Sequence, residues 1–211
     1  MRTITKPTTA KCNIQMYMMY LISDPMGTSC TRLSEIMIDV SHDSINRFLE
    51  REDFNPEDMY REVTQMIDVK GGTLSVDDTV LDKPYSDPKK AELVDYFWSG
   101  KHHTVVKGIN VITLFYTDSN KARVPVNYRI INKKEGKTKN EHYLEMLDEV
   151  IEWGLEPTWL TGDSWYSSVK NLKQGQKKEL NLLFGVESNR LVSIKKAVSY
   201  THLTLPTIYS V

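Results

Sequence analysis

Cysteine is scarce in this chain. Cys12 and Cys30 are the only two in 211 residues, too few for a disulfide framework and without the spacing of a zinc site. A reducing cytoplasm is therefore the expected compartment. Long apolar runs are also missing. No stretch approaches the roughly 18–20 residues of a membrane span. Lys6 and Lys11 sit among polar residues where a signal peptide would need an apolar core. Nor does one sign of charge dominate, since the net charge is −1. The balance is uneven along the chain, however. Residues 1–70 carry 8 basic and 11 acidic side chains, whereas residues 121–196 carry 14 and 10. On bulk charge alone, the later part is the one suited to a polyanion.

The first seventy residues read as helices. Ile14, Tyr17, Met18, Leu21 and Ile22 recur at helical spacing until Asp24-Pro25-Met26-Gly27 breaks the run. A second helix carries Leu33, Ile36 and Met37. After a break at Val40-Ser41, a third carries Ile45, Phe48 and Leu49, with Ser41 as its N-cap. Asn55-Pro56-Glu57-Asp58 starts a fourth, which should end before Gly71-Gly72. Two helices joined by a tight turn suggest a helix-turn-helix, which would offer Ser44, Asn46, Arg47 and Arg51 to a DNA groove. A small helical bundle without that role fits the spacing equally well.

Beyond Gly72 the pattern becomes strand-like. Leu74–Val80, Thr104–Thr117 and Arg123–Ile131 read as three strands, the last two a hairpin turned by Asp118-Ser119-Asn120. Residues 82–101 read as a polar connection. Asn140–Trp153 is an amphipathic helix stopped by Gly154. A fourth strand over Pro157–Gly162, a polar helix over Ser164–Glu179 and a fifth strand over Leu182–Val186 complete the order. Strand, strand, strand, helix, strand, helix, strand makes an α/β fold with a mixed sheet. If the fourth strand pairs with the first, both end at the point where the connections diverge, which is where open α/β sheets bind ligands.

Two acids stand at those ends: Asp78 in Val76-Asp77-Asp78-Thr79 and Asp163 in Leu160-Thr161-Gly162-Asp163-Ser164. A carboxylate closing an apolar strand is costly to desolvate unless it is hydrogen-bonded or binds a cation. Two such carboxylates side by side repel, and a divalent metal relieves that.

The strand order resembles the ribonuclease H-like fold, and the two strings resemble the first acidic motifs of DDE-type insertion-sequence transposases, with the insertion-sequence four family and its relatives the nearest likeness. The resemblance spans residues 28–196 and rests on both motifs combined with the order. It implies a helical DNA-binding segment over 1–70 and a ribonuclease H-like catalytic domain over 71–196. It implies Asp78 and Asp163 as catalytic metal ligands, with Asp77 the neighbour most easily confused with Asp78. Two magnesium ions, or manganese in their place, would support phosphodiester cleavage and strand transfer. The implied partners are terminal inverted repeats, target DNA and, in the full-length protein, a second copy of the chain. Rival readings are another ribonuclease H-like nuclease or resolvase, and a catalytically dead DNA-binding repressor of the parent element.

The family also has a third acid, a glutamate on a later helix, for which Glu179 and Glu187 come too early. Val198-Ser199-Tyr200-Thr201-His202-Leu203-Thr204-Leu205-Pro206-Thr207 resembles the conceptual translation of a common sequencing adapter. The expectation is therefore a truncated reading frame, natural to about Lys196, with a non-native tail over 197–211 that has no settled place in the fold and should leave His202 out of any site. His102-His103 reads as a polar strand start, since adjacent strand residues face opposite ways. Lys133, Lys134, Lys137 and Lys139 read most simply as a solvated loop, with a phosphate contact as the alternative.

Overall fold

The computed structural model describes residues 11–24, 29–52, 54–187, 190, 192–195 and 198–200, the last two stretches as backbone. The chain divides into two compact units, one up to Met59 and one from Tyr60.

The first unit is helical: α1 (Ile14–Ser23), α2 (Cys30–Ile36), α3 (His42–Arg51) and the start of α4 (Pro56–Val63). Each helix begins where a side chain can satisfy a free backbone N–H. Asn13, Ser29 and Ser41 accept from Met16, Arg32 and Ser44 respectively. Asn55 and Asp58 cap α4 reciprocally. Cys12, Tyr20, Leu33, Val40, Ile45 and Phe48 form the core of this unit.

The division falls within α4 because Tyr60 belongs to the other core, where its ring lies 5.3 Å from that of Trp153. The second unit is built on β3 (Thr104–Thr117). Along one edge, β1 (Thr73–Asp82) pairs with it antiparallel, from Thr73 opposite Thr117 to Asp82 opposite Gly108. The other edge is shared. β2 (Asp95–Ser99) takes the start of β3 and β4 (Arg123–Ile130) takes the rest. A register shift beside Leu114 and Phe115 accommodates Pro125, which has no N–H for the ladder.

β5 (Trp159–Gly162) runs parallel to β1, and β6 (Asn181–Phe184) runs parallel to β5. They are reached through α5 (Lys139–Glu152) and α6 (Val169–Lys177). Alternation along the strands turns Leu74, Val76, Ile112, Leu114, Tyr116 and Leu160 into a core completed by Tyr143, Met146, Leu147 and Val150 of α5. The order and directions of β1, β3, β4, β5 and β6 are those of a ribonuclease H-like sheet.

Three local expectations differ. β2 lies within the stretch expected to be a polar connection. Its Phe97 and Ser99 are buried while Tyr96 and Trp98 are exposed, an alternation hidden by the charged residues before it. The helix expected over 164–179 is a short 3-10 turn at Ser164–Tyr166 followed by α6, because Ser168 caps a new start. Val198–Tyr200, expected to have no settled place, forms β8, antiparallel to β7 (Val192–Lys195). The remainder of the expected tail, His202 included, lies outside the described residues.

Candidate active site

Parallel pairing of β1 with β5 runs from Thr73 opposite Trp159 to Val76 opposite Gly162. The next residues of the two strands are Asp77 and Asp163. Gly162 permits this approach, since a Cβ there would lie 2.6 Å from Val76 Cγ1 and 2.9 Å from the Phe184 ring. Asp163 keeps extended backbone and caps the turn that follows, its Oδ1 accepting from Trp165 N at 3.0 Å and Tyr166 N at 3.4 Å. Asp77, Asp78 and Asp163 all line one open cavity of about 500 Å³, together with Lys133, Lys139 and Trp165. The two acids named from the sequence, Asp78 and Asp163, are thus brought to one place.

Asp78 has the more elaborate surroundings. Its Oδ1 accepts from the Tyr166 hydroxyl at 3.0 Å, and its Oδ2 accepts from Asn110 Nδ2 at 2.8 Å and Lys139 Nζ at 2.6 Å. The Asp78 side chain is 16% exposed and that of Lys139 is 22% exposed, so water screens this pair only partly. Asp77, one residue earlier, points to the other face of the sheet. Its Oδ1 accepts from the Asp78 backbone N–H at 2.8 Å. The Oδ2 atoms of Asp77 and Asp163 take no hydrogen bond among the described residues.

Burial raises the Asp77 carboxyl above its ordinary range; the Asp78 N–H opposes this, and the charges of Asp78 and Asp163 add to it. Burial also holds the Tyr166 phenol far above its ordinary value, reinforced by the charge and hydrogen bond of Asp78 and by the charges of Asp163 and Asp77. Tyr166 is therefore a permanent donor to Asp78.

Lys139, Tyr166 and Asn110 were not picked out as site residues by sequence reasoning. Lys139 was read with the basic loop, but that loop is engaged: Lys133 pairs with Asp95 and lies 4.7 Å from the Phe97 ring centroid, and Lys137 pairs with Glu145 at 2.7 Å. Glu187, which comes too early in the sequence for the third acid, accepts from the Ser164 hydroxyl beside Asp163. His102 bonds Asp82 at 2.8 Å, away from this cavity.

The four residues expected to read DNA all lie on α3, and their settings differ. Ser44 is buried, and its Oγ accepts from Lys11 N at 2.7 Å and Cys12 N at 3.2 Å. It ties the chain into the helical core, which removes it from a groove-facing set. Arg51 is folded over the Phe48 ring and beside Glu52, and its side chain is 11% exposed. Asn46 contacts the His42 ring at 3.2 Å. Arg47 alone of the four is exposed without a described partner.

A family model for the DDE superfamily endonuclease matches residues 2–202. The chain belongs to the DDE superfamily endonucleases. Comparison with curated proteins gave no match. Among solved structures, the cryo-EM structure of the simian T-cell lymphotropic virus intasome in complex with PP2A regulatory subunit B56 gamma matches at 9% identity and a TM-score of 0.33. That match covers 83% of this chain and 53% of the other, so this chain spans about half the length of the chain it matches.

Enzymes of this superfamily work with divalent metal ions. The donor set here fits one. Asp77 and Asp163 each present to the open cavity a carboxylate oxygen without a hydrogen bond among the described residues, and oxygen ligands suit a hard ion that keeps waters in its shell. At Asp78 a cation is already in place, the ammonium of Lys139. Among the described residues, no group of three or more His, Cys, Asp or Glu side chains is arranged to hold a metal ion.

Proposed function

We propose that this chain carries part of the catalytic apparatus of an insertion-sequence transposase, akin to the insertion-sequence four family. The reaction is metal-dependent cleavage of DNA at the element's ends and transfer of those ends to target DNA. The observation that carries this reading is the parallel pairing of β1 with β5, which delivers Asp78 and Asp163 to one cavity. Two magnesium ions, with manganese able to replace them, would be held by these acids, activating the attacking oxygen and stabilising the leaving one.

The chain's own residues hold this arrangement. Tyr166 and Asn110 fix the Asp78 carboxylate, while the backbone of the 164–166 turn fixes that of Asp163. These two acids bind the metal, and cleavage draws in addition on the family's third acid, a glutamate on a later helix. The helical unit serves as the contact to the terminal repeats through the exposed face of α3, and the full-length protein acts as a dimer. Residues 197–211 are a non-native, adapter-derived tail in this reading.

One observation favours a second assignment on β1. Carrying the strand register one step beyond Gly162 sets Asp163 level with Asp77, on the face of the sheet away from Asp78. Titration of the chain with Mn2+, followed by electron paramagnetic resonance, separates the assignments. Asp163→Asn and Asp78→Asn should each weaken binding about tenfold or more, with Asp77→Asn near wild type. If Asp77→Asn is damaging and Asp78→Asn is not, the β1 ligand is Asp77. If all three variants bind as wild type does, the metal reading is wrong.

A further inference from the structure

Lys139 is an unusual residue for its place. As the first residue of α5 it adds positive charge at a helix N-terminus, where the backbone already presents unpaired N–H groups and favours anions. The helix start itself needs nothing from it. Thr138 and Glu141 form a full capping box, with Thr138 N donating to Glu141 Oε2 at 2.8 Å and Glu141 N to Thr138 Oγ1 at 3.3 Å. What holds the ammonium is Asp78, at 2.6 Å, with the Trp165 ring centroid 5.7 Å away. The capping box fixes the backbone from which Lys139 projects and uses none of its side chain. Lys133 and Lys137 are committed elsewhere, to Asp95 and Glu145. Lys139 is therefore the loop's cation directed at the acids.

An ammonium and a divalent ion on one carboxylate repel each other, and in a partly buried site water screens that repulsion only in part. A metal loading onto Asp78 therefore competes with Lys139 for the carboxylate. The displaced head stays tethered at the rim of the same cavity, next to the position a DNA phosphate must occupy to reach the metal.

We propose that Lys139 is a built-in counter-cation that neutralises Asp78 in the metal-free chain and exchanges onto a DNA phosphate when a divalent ion binds. It is a positioning residue that couples metal binding to DNA binding. The proposal rests on the metal reading above, with Asp78 as a ligand. It follows that removing the ammonium frees Asp78 for metal and deprives DNA of a contact, two effects of opposite sign. A purely structural ion pair would instead weaken both.

The test uses the 211-residue chain as wild type, Lys139→Met, Lys139→Arg and Asp163→Asn, with folding checked by circular dichroism. Mn2+ alone is titrated calorimetrically, and a labelled duplex is followed by fluorescence anisotropy with and without Mn2+ at several salt concentrations. Lys139→Met should bind Mn2+ about fivefold or more tighter than wild type. Its duplex affinity in Mn2+ should fall, and its salt slope should drop by about one phosphate contact. In wild type, Mn2+ and duplex should each tighten the other, and this coupling should be about fivefold or more weaker in Lys139→Met. Lys139→Arg, which keeps the charge, should retain it. If Asp163→Asn weakens Mn2+ binding while Lys139→Met binds Mn2+ and duplex as wild type does, the counter-cation proposal alone is overturned. If Asp163→Asn leaves Mn2+ binding unchanged, the metal reading fails and takes this proposal with it.

Discussion

Tyr166 donates a hydrogen bond from its hydroxyl to Asp78 Oδ1 at 3.0 Å across 88 residues of sequence, joining the turn after β5 to the middle of β1. The ring is fully buried and packs edge-on against Tyr143 at 5.3 Å. Replacing Tyr166 with Phe keeps the packing and removes the bond, which should cost about 2 kcal/mol, since the acceptor is charged. The urea midpoint measures this, and a midpoint equal to wild type would show that the bond contributes nothing.

The same phenol predicts behaviour in alkali. Its folded-state pKa is raised above the ordinary value of 10.0, first by burial and then by Asp78. The stability it contributes is full below the unfolded value and is lost as pH rises past it, because the unfolded chain then releases a proton that the folded chain keeps. Above that value, wild type should lose stability more steeply with pH than Tyr166→Phe. Parallel slopes in thermal melts would contradict the assignment.

Asp118, in the turn between β3 and β4, gives the opposite sign. Backbone N–H groups, first that of Asp68 and then that of Ala122, hold its carboxyl below the ordinary range, with bonds of 3.1 and 2.8 Å. Its contribution is present above the ordinary value of 3.8 and is lost as pH falls through the lowered folded value. The melting temperature of Asp118→Asn should lie below wild type at neutral pH, and the gap should close in strong acid. A gap that persists there would point to packing rather than charge.

Close backbone approach explains two glycines and predicts a graded series. At Gly162 a methyl would meet side chains of Val76 and Phe184, so Gly162→Ala should cost about 1–3 kcal/mol. At Gly72 it would lie 2.3 Å from the carbonyl oxygen of Thr117 and 2.5 Å from Tyr116 Oη, and backbone yields less than a side chain, so Gly72→Ala should cost more. Gly100 has nothing within 4 Å, and its Ala variant should stay within about 0.5 kcal/mol of wild type. Chemical denaturation of the three variants tests the ranking.

On α3 the contrast is between stability and binding. Ser44→Ala removes an acceptor for two backbone N–H groups and should destabilise by about 1–3 kcal/mol with duplex affinity unchanged. Arg47→Ala should leave stability alone and weaken duplex binding, with a shallower salt dependence. Equal duplex binding by Arg47→Ala and wild type would remove α3 from the DNA interface.

By itself the sequence determined the order of β1, β3, β4, β5 and β6, the helix starts at Ser41 and Pro56, the hairpin turn at Asp118, and which two strands carry the acids, although β1 runs on past Asp78 to Asp82. These are local matters: period, capping groups and turn residues act within a few positions of one another. It did not show β2, because five residues flanked by charges carry too short a pattern. Nor did it show that Ser44 faces inward, since a serine on a helix reads the same on either face. Above all, it could not distinguish Asp77 from Asp78 or give Lys139 a part. One step along a strand reverses the face a side chain takes, and which face is filled depends on α5 arriving from sixty residues away. Only when α5, β3 and the turn after β5 come together at β1 does Asp78 acquire a lysine, an asparagine and a tyrosine, while Asp77 keeps to the open side with Asp163 in register. The tertiary structure decided the site because the charges that define it come from segments with no local reason to meet.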